Sequence, residues 1–355
     1  MHVGIVRRGF SPTGGAESYL LRLASGLQAA GHKITLIASQ HWPARAWPFG
    51  KIHTLQGNTP TSFANSVRKI RSLFDVTLAL DRVPGCDVFR AGDGVHAAWL
   101  KRRSAFEPRW KSFLSKWNPK HATLIMLERM VIKSTPKIIA NSRMVAREIS
   151  EFHEIAEDSI HVIPNGISSS LTTIPKSEAR IALSIPTHSF CCLFLGTGWK
   201  RKGLETAIRA ITPLAHNTIL LVAGHGPIPR RSPPQIRFLG PVLNLSALLS
   251  AADILVLPTI YDPFSNACLE ALGAGLPVLT TSANGFSEII TPGIHGDIIE
   301  PGDHTRLTQL IRTWQQKDLT LASEKCRQLA CQYPIEKNVS STIQILESAL
   351  ADHKN

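Results

Sequence analysis

The sequence contains no unbroken apolar run of the roughly 18 residues that a membrane-crossing helix needs. Its opening, MHVGIVRRGF, has no long apolar stretch behind the first charges, so neither a secretory leader nor a spanning helix is expected. The six cysteines (Cys86, Cys191, Cys192, Cys268, Cys326, Cys331) form no CxxC pair. Several lie in apolar runs, where free thiols behave as small hydrophobes, which suits a reducing cytosol and gives no thiolate metal site. No glycine-rich turn carries the Lys-Ser or Lys-Thr ending of a P-loop. No DxD-type pair falls in a suitable loop either, and a bound metal is not expected.

Acids are scarce, with 26 Asp and Glu against 39 Lys and Arg, a formal charge of +13. Such a surplus points to a polyanionic partner, whether nucleic acid, an anionic membrane or a phosphorylated substrate. Part of it is concentrated between Trp99 and His121, where Lys101, Arg102, Arg103, Arg109, Lys111, Lys116 and Lys120 face a single acid, Glu107. Trp99, Trp110 and Trp117 are interleaved with them. That mixture admits base stacking, docking on an anionic membrane with Phe113 and Leu114 at the interface, or an ordinary basic helical surface. No nucleic-acid-binding motif accompanies it, so nucleic acid is not the expected partner.

A chain of 355 residues with 43% hydrophobic composition suffices for two domains with cores of their own. Short apolar runs alternate with amphipathic stretches, the pattern of βαβ units around parallel sheets. Strands are expected at His2 to Val6, Ile34 to Ala38 and Lys137 to Ala140. The second half repeats the theme at Phe190 to Leu195, Thr218 to Ala223, Ile236 to Leu239, Ile254 to Leu257 and Pro277 to Thr280. Ala16 to Ala30 reads as a helix burying Tyr19, Leu20, Leu23, Ala24 and Leu27, with Gly31 as its left-handed cap. The turn-rich VIPNGISSS, Val162 to Ser170, marks the junction. From Ile335 onward Val339, Ile343, Leu346 and Leu350 recur at helical spacing.

Three constellations carry chemistry. Pro12-Thr13-Gly14-Gly15 separates the first strand from its helix; adjacent glycines let backbone amides approach an anion at a helix N-terminus, although a tight turn alone also needs glycine. Gly196-Thr197-Gly198-Trp199-Lys200-Arg201-Lys202-Gly203 places a guanidinium and an ammonium at the carboxyl end of a strand, where open α/β sheets bind ligands and where a diphosphate fits; a solvated basic turn is the alternative. In YDPFSNACLEALGAGLPV, Asp262 precedes Glu270 by eight positions on a loop-helix corner, so the two can hold hydroxyls at different ends of an extended ligand.

These residues resemble the retaining GT-B-fold glycosyltransferases of family 4, and among them the glucosyltransferases of lipopolysaccharide core assembly. The matching blocks run nearly end to end: GGAESYLLRLASGLQAAGHKITL, VFRAGDGV, VIPNGI, FLGTGWKRKG, AADILVLPT and YDPFSNACLEALGAGLPVLTT. The last is similar to the family's E-x7-E signature, flanks included. The resemblance implies an α/β fold of two Rossmann-like domains facing each other across a cleft. Residues 1–167 would bind the acceptor, 168–334 the nucleotide sugar, and a C-terminal helix, 335–355, would return to the first domain.

Position by position, the resemblance implies that Glu270 holds the nucleotide ribose and that Asp262 lies near the donor sugar. Arg201 and Lys202 would hold the diphosphate beside Gly196. Phe264, Ser265, Asn266 and Ala267 would offer backbone amides to sugar or phosphate, and Gly14 and Gly15 would approach the phosphate. Asp93, in AGDGV, matches an acid facing the sugar; a turn aspartate between two glycines is the plainer alternative, and nearby His96 reads as structural. Asp262 is one methylene shorter than the family's glutamate, so either the sugar sits differently or a water fills the gap. Tyr19 stands where relatives carry an acid.

The implied reaction moves a hexose from a nucleotide diphosphate sugar, with UDP the commonest carrier, to a glycan or glycolipid acceptor. The nucleotide sugar is a co-substrate, and no cofactor is implied. A nucleotide-sugar epimerase of the same fold and a basic nucleic-acid-binding protein are the rivals; the flanks of the E-x7-E block are those of transferases. The expected location is cytoplasmic, peripheral on the inner membrane through Trp99 to His121.

Overall fold

The computed structural model describes residues 1–11, 14–57, 59–168, 174–229, 231–242 and 244–353, without the side chains of 112, 115 and 116. Pro12 and Thr13 of the first glycine turn, Ser169 and Ser170 of the junction, and the Lys116 side chain therefore lie outside the described residues. The chain divides into two compact units, residues 1–166 with 335–355, and residues 167–334.

Unit 1 is built on seven parallel strands: β1 (His2–Val6), β2 (Lys33–Ser39), β3 (Lys51–Leu55), β4 (Val76–Ala79), β5 (Val88–Arg90), β6 (Lys137–Ala140) and β7 (Ile160–Val162). Their order is β3-β2-β1-β4-β5-β6-β7. Unit 2 has six: β8 (Phe190–Leu195), β9 (Thr218–Ala223), β10 (Ile236–Gly240), β11 (Ile254–Leu257), β12 (Val278–Thr281) and β13 (Gly296–Ile299), ordered β10-β9-β8-β11-β12-β13. All pairings are parallel. Helices cover both faces of such sheets, so central strands read as continuous apolar runs; ILVL of β11 is wholly buried. In each unit the chain leaves one central strand in both directions, between β1 and β4 and between β8 and β11. The carboxyl ends of those strands are where doubly wound sheets bind ligands.

Helix Gly15–Ala29 buries Tyr19, Leu20, Leu23, Ala24 and Leu27, and Gly31 takes φ +82° just beyond its end. Ile335–Asp352 forms the last helix and packs on that first one in unit 1. A Cβ on Gly26 would come within 2.5 Å of the Val339 side chain, so glycine is what permits the close approach. Leu346 and Val339 enter the core, whereas Leu350 is half-buried. Asn338 also faces inward: it donates to Pro164 O at 2.6 Å and accepts from the Tyr19 hydroxyl at 3.0 Å.

Strands β3, β4, β5, β7 and β13 have no counterpart in the apolar-run reading; β5 and β7 hold only three residues each, and KIHTL of β3 is half-exposed at a sheet edge.

Candidate active site

In unit 2 the turn after β8 is shaped by Gly196 (φ +152°), Gly198 (φ +77°) and Gly203 (φ +79°). A Cβ on Gly203 would lie 1.9 Å from Pro258 O, so the turn is pressed against the end of β11. Trp199 is buried, with its indole N–H donating to Gly196 O at 3.1 Å and its ring packed on Gly226. The loop after β11 is tied to the same turn: Ile260 N and the Thr259 hydroxyl both donate to Arg201 O, at 2.8 and 2.9 Å. Arg201 returns the contact through Nη1 to Tyr261 O at 3.0 Å, and its side chain remains 36% exposed.

The two loops converge on Asp262. Its carboxylate accepts from Lys202 Nζ and lies 4.0 Å from Arg201 Nη1. Burial alone would push this carboxyl up, but the Lys202 ammonium and the Arg201 guanidinium outweigh it and hold the group below the usual carboxylate range. Cations and acid to which the sequence assigned separate roles are thus joined in one ion pair. Asp262 and Lys202 are buried; Arg201 is the more accessible cation.

The acids eight residues apart are not equivalent. Helix Asn266–Gly273 starts directly after Ser265, and its half-exposed positions recur at Asn266, Ala267, Glu270 and Gly273, one face of a 3.6-residue period. Glu270 shares that face with Asn266 and Ala267, while Asp262 is directed inward. Phe264 is buried edge-on against Phe286 at 5.9 Å, and Ser265 is buried as the residue before the helix. A residue absent from the sequence reading fixes this corner: Asn284, fully buried, accepts from Ser265 N at 3.3 Å and Phe286 N at 3.1 Å, and donates to Thr280 Oγ1 at 2.9 Å. Only its neighbourhood in SANGFSE, a turn after a strand, signals it.

In unit 1, Gly14 caps the helix after β1, and a Cβ there would strike the Glu17 carboxylate at 1.9 Å. That carboxylate pairs with Arg7 at 3.2 Å; Arg7 also reaches Asp81 at 3.0 Å and Asp93 at 3.7 Å. Burial opposes the charge on Arg7, but Asp81, Asp93 and Glu17 together raise its pKa further and lock it cationic. Asp93, between Gly92 and Gly94, is about half exposed, and Arg7 orients it. Tyr19 lies outside this group: it is buried, with the Arg90 guanidinium 3.8 Å from its ring centroid. His96 Nε2 contacts His121 Nδ1 at 3.0 Å, and its backbone N–H donates to Glu128 Oε2 at 2.7 Å. Among the described residues no group of His, Cys, Asp and Glu is placed to hold a metal ion.

The basic stretch forms helices His96–Ser104 and Arg109–Lys116 and the start of Pro119–Ser134. The stretch holds one acid of its own, and the fold brings two more to it. Lys101 pairs with Glu151, Arg102 with Glu148 and Arg103 with Glu107, two of these acids coming from helix Arg143–His153. What stands out from the surface is apolar: Trp110 (61%), Phe113 (60%), Leu114 (58%) and Trp117 (76%). Among the described residues no helix is long and apolar enough to cross a membrane.

Residues 13–171 match the family described as Glycosyltransferase Family 4, and residues 189–316 the family described as Glycosyl transferases group 1. Together with two parallel α/β units, each with its glycine turn at a switch point, these matches define the chain as a GT-B glycosyltransferase of family 4. It is 26% identical over 335 residues to the lipopolysaccharide glucosyltransferase WaaG of Escherichia coli (strain K12), spanning 85% of this chain and 86% of WaaG. It is 27% identical over 317 residues to the lipopolysaccharide core biosynthesis glycosyltransferase LpsD of Rhizobium meliloti (strain 1021), 85% of each. The crystal structure of WaaG shares the fold with a TM-score of 0.80 over 97% of this chain and 99% of that one, at 23% identity. Anabaena Alr3699/HepE in complex with UDP-glucose does so with a TM-score of 0.78 over 98% and 100%, at 17% identity.

Proposed function

We propose that this glycosyltransferase moves a hexose from a UDP-sugar to a glycan or glycolipid acceptor of lipopolysaccharide core, with retention of anomeric configuration. The observation that carries the reading is the Arg201–Lys202 cation pair at the carboxyl end of β8, braced by Asp262, with helix Asn266–Gly273 and the accessible face of Glu270 following in the same loop. Relatives named for lipopolysaccharide synthesis and a fold neighbour holding UDP-glucose support the substrate class.

In this mechanism Glu270 accepts hydrogen bonds from the ribose hydroxyls, and the first-turn backbone of Asn266 and Ala267 faces donor sugar or phosphate; of the four amides expected to do so, that of Ser265 is given to Asn284 and that of Phe264 to Asp262. Gly15 and Gly196 are assigned to the close approach of the phosphates, whereas the space over Gly14 is held by the Glu17 carboxylate. As the glycosidic bond lengthens, negative charge grows on the departing diphosphate, and Arg201 and Lys202 stabilise it where it develops. Asp262 positions Lys202 for that task. The departing phosphate oxygen takes the acceptor hydroxyl proton on the face from which it leaves. Asp93 stabilises positive charge on the sugar or orients the acceptor hydroxyl. The two cations do the work a metal does elsewhere, so no metal is required.

The test is incubation with UDP-glucose, UDP-galactose and UDP-N-acetylglucosamine and a truncated lipopolysaccharide core, following UDP release and the anomeric proton coupling of the product by NMR. Retention, undiminished in EDTA, is expected. An inverted product, or UDP release only with added metal, contradicts the mechanism.

The exposed Trp110, Phe113, Leu114 and Trp117, with Arg109, Lys111 and Lys120 around them, support a second element of the proposal: peripheral docking on an anionic membrane surface, the cytoplasmic face of the inner membrane, where a glycolipid acceptor resides.

A further inference from the structure

Residues 80–87 join β4 to β5, which are adjacent and parallel, without a helix. Parallel neighbours are normally linked by a crossover of a dozen or more residues whose helix covers that part of the sheet. Here the segment carries Pro84 and Gly85 instead. Strands β4 and β5 stay buried, and between helices Pro60–Ile70 and Pro119–Ser134 a groove of about 720 Å³ opens beside that connection. That is within the range of small-ligand sites, roughly 300–1,000 Å³.

Four cations line the groove, Arg68 and Arg71 from one side and Arg129 and Lys133 from the other, and among the described residues no acid does. Arg71 is held by Asp87, which also pairs with His353. Among the described residues no carboxylate pairs with Arg68, Arg129 or Lys133. A cation in the last turn of a helix offsets the helix dipole, which accounts for Arg68 and Lys133. It does not account for Arg129, a turn earlier and aimed into the same space.

The rest of the lining is of two kinds. Thr61, Asn65 and Ser134 offer hydroxyl and amide groups, while Leu127, Met130 and Pro84 offer aliphatic surface. Among the described residues no aromatic side chain lines the groove, and those present give no platform on which a nucleobase would stack. Guanidinium forks match phosphate oxygens, amides and hydroxyls match sugar hydroxyls, and aliphatic side chains suit the C–H faces of a pyranose ring. We propose that this groove is a second ligand site that binds a phosphorylated saccharide.

The site is separate from the chemistry. Asp81 and Asp93 follow β4 and β5 at the carboxyl edge of the sheet. Arg71, Gly85 and Ser134 precede β4, β5 and β6 at the opposite edge. Its occupant is therefore neither the donor nor the reacting part of an acceptor.

Calorimetric titration of the full chain with glucose 1,6-bisphosphate, beside inorganic phosphate and glucose, tests the proposal. Saturable binding of the bisphosphate is expected, at least about ten-fold tighter than inorganic phosphate, with none of glucose and no competition from UDP. The triple variant Arg68→Gln, Arg129→Gln, Lys133→Gln replaces three exposed side chains and should still fold, its Tm lowered by a few degrees at most through the lost helix-dipole contacts. It should bind the bisphosphate at least about ten-fold more weakly and UDP as before. Absence of saturable binding, equal binding of inorganic phosphate, displacement by UDP, or an unaffected triple variant each overturns the proposal. So does capture of phosphatidylglycerol vesicles by the wild type and not by the variant without sugar-phosphate binding, which would assign the groove to a lipid head group.

Discussion

Lys202 and Asp262 are sixty positions apart in the chain and hydrogen-bonded to each other, each with its side chain no more than 10% exposed. The strand order β8-β11 makes the pair possible, because the turn after β8 and the loop after β11 open at the same sheet edge. A buried ammonium needs a counter-charge; a cation meant for a phosphate is thus held charged and in place before any phosphate arrives.

Asp262→Asn should therefore destabilise unit 2, since removing one partner of a buried pair costs about 3–5 kcal/mol. Urea denaturation at pH 7 measures it. The folded-state pKa of Asp262 lies below its unfolded value, so the stabilisation is fully present above the ordinary carboxylate range. It is lost as pH falls through the depressed value. Wild type and variant should differ at neutral pH and converge in acid; a difference that persists in acid would show that the pair is not its origin.

Arg201→Ala and Glu270→Gln should separate chemistry from binding. A cation that meets charge developing on the leaving group acts in the transition state, so Arg201→Ala should lower kcat by about 10- to 150-fold, the equivalent of roughly 1.5–3 kcal/mol. A ribose contact is made equally in ground and transition states, so Glu270→Gln should raise the donor KM more than it lowers kcat. Steady-state kinetics with UDP-sugar varied would expose reversed roles as a reversed pattern.

His96 should make unit 1 acid-sensitive. Burial first, then Arg82, His121 and Arg103 against the opposing pull of Glu128, lower its pKa to about 4. The unfolded chain, with an ordinary His near 6.5, takes up this proton more readily than the folded one. Stability from this residue is full above about pH 6.5 and falls as pH drops towards 4. His96→Gln should flatten the slope of Tm against pH across that window. An unchanged slope would assign the acid sensitivity to His121 or elsewhere.

Membrane docking should split into two separable parts. Arg109→Gln, Lys111→Gln and Lys120→Gln together should reduce co-sedimentation with anionic vesicles at low salt by about 1 kcal/mol per charge. Trp110→Ala with Trp117→Ala should remove binding that survives high salt. Lys101, Arg102 and Arg103 are left in place because their ion pairs hold helix His96–Ser104. Equal partitioning to neutral and anionic vesicles, or none to either, would dispose of the docking reading.

Much of this was legible in the residues. The helix after β1 declared its buried face and its Gly31 cap, and FCCLFL and ILVL declared central strands, because both signals are local. The short strands Val88–Arg90 and Ile160–Val162 were silent for the same reason: three residues hold no period. The basic segment misled by its isolation, since Glu148 and Glu151, which pair with two of its cations, come nearly fifty residues later. Tyr19 was legible as a core side chain from its helix face, but its bond to Asn338 at the far end of the chain was not.

By itself, the sequence determined that the chain would form parallel α/β layers with glycine turns at strand ends, and it named the cations and acids of those turns. Burial periodicity and the conformational freedom of glycine are properties of neighbouring residues. Which charges meet was decided only by tertiary structure. Lys202 is held by Asp262, Arg7 gathers Glu17, Asp81 and Asp93, and two helices that flank the helix-free connection of β4 to β5 line a basic groove. Ion pairs and cavities depend on strand order, which brings together side chains that no local pattern relates.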